Sequence, residues 1–120
     1  MKNNKKTLKN GHYRVMLKNI YVEIFDDNDD MNFIFCYILF NTYDYKIYNI
    51  QHKVINNVNN PACRDFFDFI EHNNIDYEEY EDLNGMIFDC NIKVIEINGK
   101  PKIYFKNKKL VARPVATNYQ

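Results

Sequence analysis

The dipeptide Asn98–Gly99, flanked by two runs of alternating apolar residues, most restricts what this chain can fold into. Residues 86–97 place an apolar side chain at every second position from Phe88 to Val94, which is the periodicity of a strand with one buried face. Asn-Gly is the favoured dipeptide of the tight type I′ turn between antiparallel strands. We therefore expect residues 86–97 and 100–105 to form a hairpin. Because Pro101 cannot donate a backbone hydrogen bond, the second strand should lie at a sheet edge.

The rest of the chain predicts three further strands and a helix. Residues 12–25, 31–40 and 45–55 have strand patterns and are separated by turns rich in Asp and Asn, and the first strand slips phase near Lys18. Asn60–Pro61 predicts a helix start, because Asn caps helices and Pro suits the first turn. A short second helix is expected over residues 76–83. The expected class is α+β, mostly β: an OB-like five-stranded barrel or meander with one helix between strands 3 and 4.

The length of 120 residues fits one domain. We expect a flexible basic arm over residues 1–11, a single OB-like domain over 12–114 and a tail over 115–120. The chain has no apolar run of the ~18 residues that a membrane span needs, and no secretory signal is visible. The predictions are therefore no membrane association and a cytoplasmic location, with free thiols at the three cysteines.

Charge is segregated along the chain. All 16 acidic residues lie between Glu23 and Glu96, whereas residues 1–22 and residues 97–120 each contain six Lys and Arg and no acid. The net charge of zero therefore conceals two basic ends and an acidic centre. If the fold brings both ends onto one face, that face should attract a polyanion.

Several short motifs together suggest a relationship to a known group of proteins. The motifs are Tyr13-Arg14-Val15, Asn60-Pro61, Phe66-Phe67-Asp68-Phe69-Ile70-Glu71, Asn74-Ile75-Asp76, Leu83-Asn84-Gly85-Met86, Asn98-Gly99-Lys100 and Arg113-Pro114. Across most of residues 12–114 the chain resembles small phage and mobile-element proteins that are linked to recombination operons and thought to bind single-stranded DNA. The resemblance implies single-stranded DNA or RNA as ligand and a recombination or replication protein as partner. The chain departs from the group in lacking a Gly-rich turn after strand one and an acidic C-terminal tail.

The C-terminal hairpin is the predicted binding surface. Lys100, Lys102, Tyr104 and Lys106 alternate along one strand and should share a face. Cationic side chains can follow a phosphate backbone, and an aromatic ring among them can stack on any base. The competing interpretation is an edge strand that Lys and Pro protect from aggregation. The predicted nucleic-acid-binding residues are Arg14, Lys18, Lys100, Lys102, Tyr104, Lys106, Lys108, Lys109, Arg113 and Tyr13.

A second hypothesis assigns function to the acidic region, residues 65–82. An exposed acidic ridge there would mimic a nucleic-acid backbone, so that the chain would act as a small protein-interaction module or inhibitor. The two hypotheses differ in their electrostatic requirement: the first needs the basic ends on one face, and the second needs the acids to form a contiguous exposed surface.

Catalytic and metal-binding patterns are not evident in the sequence. His12, His52 and His72 are far apart, the cysteines lack C-x-x-C spacing, and no phosphate-binding Gly-rich loop is present. Acidic residues are plentiful, but nothing in the sequence singles out a catalytic pair. We therefore expect a binding protein rather than an enzyme, with no metal and no cofactor.

Overall fold

The computed structural model describes residues 8–24, 31–57 and 59–114. One antiparallel sheet has the strand order β3-β2-β1-β4-β5. Its elements are β1 (Gly11–Ile24), β2 (Met31–Asn41), β3 (Ile47–Ile55), helix α1 (Pro61–His72), a 3-10 turn (Tyr80–Leu83), β4 (Ile87–Ile97) and β5 (Lys100–Ala112). The expected α+β class, mostly β with one helix between strands 3 and 4, is confirmed. The sheet is open over the described residues, with β3 and β5 as its edges.

The β4–β5 hairpin forms as its turn sequence predicts. Asn98 and Gly99 have φ angles of 54° and 77°, which is the left-handed backbone that a type I′ turn requires at both central positions. Pro101 lies on the edge strand β5, where its missing N–H leaves no gap in a ladder. An OB-like fold with a basic first strand and a basic final hairpin predicts that these two are neighbours in one sheet, and β1 pairs with β4 from Gly11 to Met16, which confirms it.

The sheet has one apolar face, here called the inner face, and an opposite outer face. Period-two alternation places Val15, Leu39 and Phe88 on the inner face, and all three are fully buried. Helix α1 packs on this face: the Phe66 ring centroid lies 4.5 Å from that of Phe35 on β2. The core is therefore a sheet–helix sandwich rich in aromatic rings, which leaves the outer face available for contacts.

Local side-chain chemistry begins α1 where the sequence predicts. The Asn60 side chain accepts a hydrogen bond of 3.0 Å from the Cys63 N–H, and Pro61 is the first helical residue. Among the described residues, no helix has the length and apolar character to cross a bilayer.

Register shifts interrupt the strand pairing at three places, and the third lies where Ile87 and Phe88 of β4 pair with Ala112 and Leu110 of β5. The first lies between Leu17 and Asn19 on β1, which confirms the predicted phase slip. The second lies at Asn107 on β5, which has a φ of 57°. In the sequence, Asn107-Lys108-Lys109 predicts a turn, with a separate short strand over residues 110–112; this prediction is wrong, because the bulge lets β5 continue to Ala112.

The predicted short second helix over residues 76–83 forms only over its last four residues and as a 3-10 helix. Only a single 3-10 turn forms, at Tyr80–Leu83. The Asp82 carboxylate accepts hydrogen bonds from the backbone N–H groups of Glu78 and Glu79 at 3.0 and 3.1 Å. These bonds cap the turn and leave Glu79 extended, so the helix cannot begin earlier.

The turn after β2 forms as expected, because the Asn41 side chain accepts from the N–H groups of Tyr43 and Asp44. The predicted turn at residues 26–30, most of the basic arm and the tail over 115–120 lie outside the described residues. Residues 8–10 contact the domain: Leu8 packs on the core, and the Asn10 side chain accepts from the Val94 N–H at 2.7 Å.

Candidate nucleic-acid interface

The outer face of the hairpin carries a group of cations around one aromatic ring. Ile103 and Phe105 turn inward and pack on the core, so their alternating neighbours on β5 face outward and are exposed. We call this surface the basic strip; it consists of Lys93, Lys100, Lys102, Tyr104 and Lys106. This confirms the prediction that Lys100, Lys102, Tyr104 and Lys106 share one face of the sheet.

Tyr104 is the aromatic member of the strip, and 38% of its surface is exposed. Lys93 on β4 lies directly opposite Tyr104 on β5. Two residues that lie directly opposite each other on neighbouring strands have Cβ atoms about 5 Å apart. The half-exposed Ile95 and Ile97 lie opposite Lys102 and Lys100. The strip thus alternates cations with apolar surface, which suits a ligand that has both phosphates and bases.

Sequence reasoning missed Lys93, because it lies inside the acidic central segment. Its alternation with the buried Ile92 and the partly buried Val94 indicates an outward side chain, and the Asn98–Gly99 turn sets its partner on β5. Together these two signals could have placed Lys93 beside Tyr104.

Arg14 shares the outer face with the strip, but a carboxylate already engages it. Its Nε and Nη2 donate to the two Asp89 oxygens at 2.8 and 3.0 Å. This bidentate hydrogen bond lowers the pKa of Asp89, which stays ionised at neutral pH. Lys109 lies opposite Asp89 on β5. The Asp89 carboxylate therefore partly compensates the positive charge of Arg14 and Lys109, in contrast to the basic strip.

Three other predicted residues lie away from the strip. Lys18 is at the β1 bulge, beyond the start of β4, and the register puts it roughly 30 Å from Lys102 at about 3.3 Å per residue. Arg113, past the end of β5, donates to the Asn74 backbone oxygen at 3.3 Å. The predicted nucleic-acid-binding role of Tyr13 is corrected, because its side chain is fully buried and its hydroxyl donates to the Lys9 carbonyl at 2.8 Å.

Lys108 also departs from its predicted position. The Asn107 bulge reverses the alternation of β5, so Lys108 turns inward and only 8% of its side chain is exposed. Its ammonium group bonds to Asp65 on α1 and lies 5.6 Å from the centroid of the Phe69 ring. Lys108 therefore joins β5 to α1 and is not part of the outer face.

A cleft of about 480 Å³ separates the two edge strands beneath α1. It is lined by Phe35 and Tyr37 from β2, His52 and Val54 from β3, Phe66 from α1, and residues 103–108 from β5. The His52 and Phe105 ring centroids are 5.2 Å apart, so β3 and β5 approach each other here through their side chains.

Two polar side chains, Tyr37 and His52, line the cleft. Over the described residues, neither the Tyr37 hydroxyl nor the His52 imidazole makes a hydrogen bond. Burial, followed by the nearby ammonium groups of Lys102 and Lys108, lowers the pKa of His52 to about 4. Burial likewise raises the pKa of Tyr37. Both side chains are thus uncharged at neutral pH and can donate and accept hydrogen bonds.

The described residues show no cluster of metal ligands. They contain no group of three or more His, Cys, Asp or Glu side chains that could hold a metal ion. Cys36, Cys63 and Cys90 are free thiols. Burial raises the pKa of Cys90 to about 12, so it holds its proton at neutral pH and is a poor nucleophile.

Comparison of the chain with protein-family models, curated proteins and solved structures found no match. The resemblance to phage and mobile-element proteins therefore stays a prediction from short motifs.

Proposed function

We propose that this protein binds single-stranded nucleic acid, in the first place DNA, along the basic strip. The observation that carries the proposal is the outward alternation of Lys100, Lys102, Tyr104 and Lys106 on β5, with Lys93 opposite the tyrosine. Among the described residues, no acid lies directly opposite any of these lysines on the outer face. A flexible single strand can follow the lysines with its phosphates and stack one base on Tyr104.

The strand order supports an OB-like architecture as part of this proposal. An OB-fold is a partly open five-stranded barrel, and many of its members bind oligonucleotides. Side-by-side alignment of β3 and β5 would close the present sheet, and these edges already face each other across the cleft. We also propose, from the resemblance, a cytoplasmic accessory role in phage or mobile-element recombination or replication.

Binding of this kind depends steeply on salt, because each neutralised phosphate releases counterions. Four lysines in contact with phosphates predict a log–log slope of roughly −3, at about 0.7 per contact for a single strand. The test is a fluorescence-anisotropy titration of labelled oligo-dT, and of a duplex of equal length, over a range of salt concentrations.

A charge-matched pair of variants makes the titration specific. Lys102→Ala with Lys106→Ala removes two cations from the strip, and Lys18→Ala with Lys46→Ala removes two exposed cations elsewhere. The strip variant should flatten the slope by about 1.4, whereas the control should stay close to the parent. Equal losses in both would show that net charge, and not the strip, governs binding. No binding of oligo-dT by the parent would contradict the proposed function.

The acidic region, residues 65–82, carries the second candidate function. All of its carboxylates except that of Asp82 belong to exposed residues, and Asp68 and Glu71 occupy successive turns of α1. A protein that recognises nucleic acid could bind this surface as a mimic. This candidate predicts no affinity for oligo-dT and binding to a basic protein partner, lost when Asp68 and Glu71 are both changed to Lys.

A further inference from the structure

The cleft between β3, α1 and β5 has the features of a small-molecule site. Its volume of about 480 Å³ falls within the range of roughly 300–1,000 Å³ typical of ligand pockets. Phe35, Phe66 and Phe105 supply aromatic walls. Such walls suit a flat ring, which can contact aromatic faces over a large area.

The polar groups of the cleft restrict the chemistry of the occupant. The Tyr37 hydroxyl and the His52 imidazole line the cleft without a hydrogen-bond partner among the described residues. Burial of an unsatisfied polar group is costly, so a purely aliphatic ligand would leave both groups unpaired. A ring with donors and acceptors on its edge would satisfy them.

Charge at the mouth favours an anion. Lys106 and Lys108 line the cleft, and Lys102 lies close enough to act electrostatically on His52. Asp65 is the only acid among the lining residues, and it is bonded to Lys108. Lys102 and Lys106 make no ion pair among the described residues, so their positive charge next to the cleft is available to an anion.

The cleft is continuous with the basic strip. Tyr104 and Lys106 belong to the strip and also line the cleft at the β5 edge. We infer that the cleft binds one nucleotide, with its heteroaromatic base between the aromatic walls and its phosphate at the lysines of the mouth. The nucleotide is either a free mononucleotide or one unit of a strand on the strip; only the second source rests on the proposed function.

The experiment is a titration of the full chain with thymidine monophosphate. NMR spectra recorded during the titration follow the imidazole resonances of the histidines. The His52 signals should shift with saturation, whereas those of the exposed His12 and His72 should not follow the same curve. Tyr37→Phe removes only the unpartnered hydroxyl and should weaken binding about two- to tenfold. No saturable His52 shift up to millimolar nucleotide would overturn the inference.

A variant that fills the cleft distinguishes a free mononucleotide from a nucleotide of a bound strand. Ala62 is exposed on α1 and lines the cleft, so Ala62→Trp should block the nucleotide without disturbing the core. Asn49→Trp, on the exposed outer face of β3, is the matched control. Thermal melts of both variants establish that the fold is retained, and unchanged nucleotide affinity in a folded Ala62→Trp variant would overturn the inference.

Oligo-dT titrations of the same variants complete the design. Loss of both nucleotide and oligo-dT affinity in Ala62→Trp supports a nucleotide of the bound strand. Loss of nucleotide affinity alone supports a free mononucleotide. If the parent binds no oligo-dT but still binds the mononucleotide, the proposed function fails and the cleft inference stands. If the parent binds oligo-dT but not the mononucleotide, only the cleft inference fails.

Discussion

Lys93 on β4 lies directly opposite Tyr104 on β5, and both side chains are exposed on the outer face of the sheet. The hairpin thus sets a cation beside a stacking surface within one cross-strand pair. Because the register follows from the Asn98–Gly99 turn, the pair is held by backbone geometry rather than by a flexible loop.

This pair separates the charge and stacking contributions to binding. Lys93→Ala should flatten the salt slope of oligo-dT binding by about 0.7. Tyr104→Ala should cost about 1–3 kcal/mol of affinity with little change in slope, because stacking releases no counterions. The control is Tyr43→Ala, since Tyr43 is 92% exposed in the turn after β2. Circular dichroism of the Tyr104→Ala variant checks that the domain remains folded. If Lys93→Ala and Tyr104→Ala both bind oligo-dT like the parent, the binding site is not on the basic strip.

Asp89→Asn should increase affinity for single strands. The substitution removes an acid from the outer face and releases Arg14 from its bidentate contact, so that the guanidinium can contact phosphate. We expect the salt slope to steepen by about 0.7. Asp68→Asn on α1 is the matched control, with the same change of charge away from the outer face. Weaker binding by Asp89→Asn would indicate that the ion pair positions β1 for binding.

His52 should make the fold sensitive to mild acid. Well above pH 6.5, the ordinary pKa of histidine, the imidazole is neutral in the folded and the unfolded state, so it adds no pH dependence. Between pH 6.5 and its folded pKa of about 4, the unfolded chain binds a proton that the folded chain does not, so stability falls with falling pH. The loss should reach about 2 kcal/mol at pH 5.

Urea unfolding of the parent and of His52→Gln at pH 7.5 and pH 5 measures this effect. The variant should lose less stability on acidification than the parent. His72→Gln, which alters an exposed histidine, should retain the parent's pH dependence. Identical pH profiles for the parent and His52→Gln would contradict the burial of an uncharged imidazole in the cleft.

The Lys108–Asp65 contact should stabilise the junction of β5 with α1. Asp65→Ala leaves the inward Lys108 ammonium without its partner, and we expect a loss of about 1–2 kcal/mol in the free energy of unfolding. Lys108→Met keeps the packing over Phe69 and removes the charge, so it should cost less. Urea denaturation of both single variants and the double variant gives the coupling energy. A larger loss in Lys108→Met than in Asp65→Ala would show that the lysine contributes more than its pairing with Asp65.

Local signals explain which parts of the fold were predictable. Asn98–Gly99, Asn60–Pro61 and the phase slip at Lys18 each act through backbone conformations within a few residues, and each forms as expected. The segment 76–83 shows the limit of such signals. Its acidic, Tyr-rich sequence allows a helix, but the Asp82 carboxylate caps the backbone of Glu78 and Glu79 instead.

The sequence by itself determined the hairpin, the helix start, the bulge in β1 and the outward alternation of the cations from Lys100 to Lys106. Only the tertiary structure decided that Tyr13 is core, that Lys108 faces α1 and that His52 and Tyr37 share a cleft with β5. The physical reason is that periodicity assigns a side chain to a face but does not state what covers that face. A single left-handed residue, Asn107, shifts the phase of β5, so Lys108 leaves the outer face while Lys106 and Lys109 remain on it.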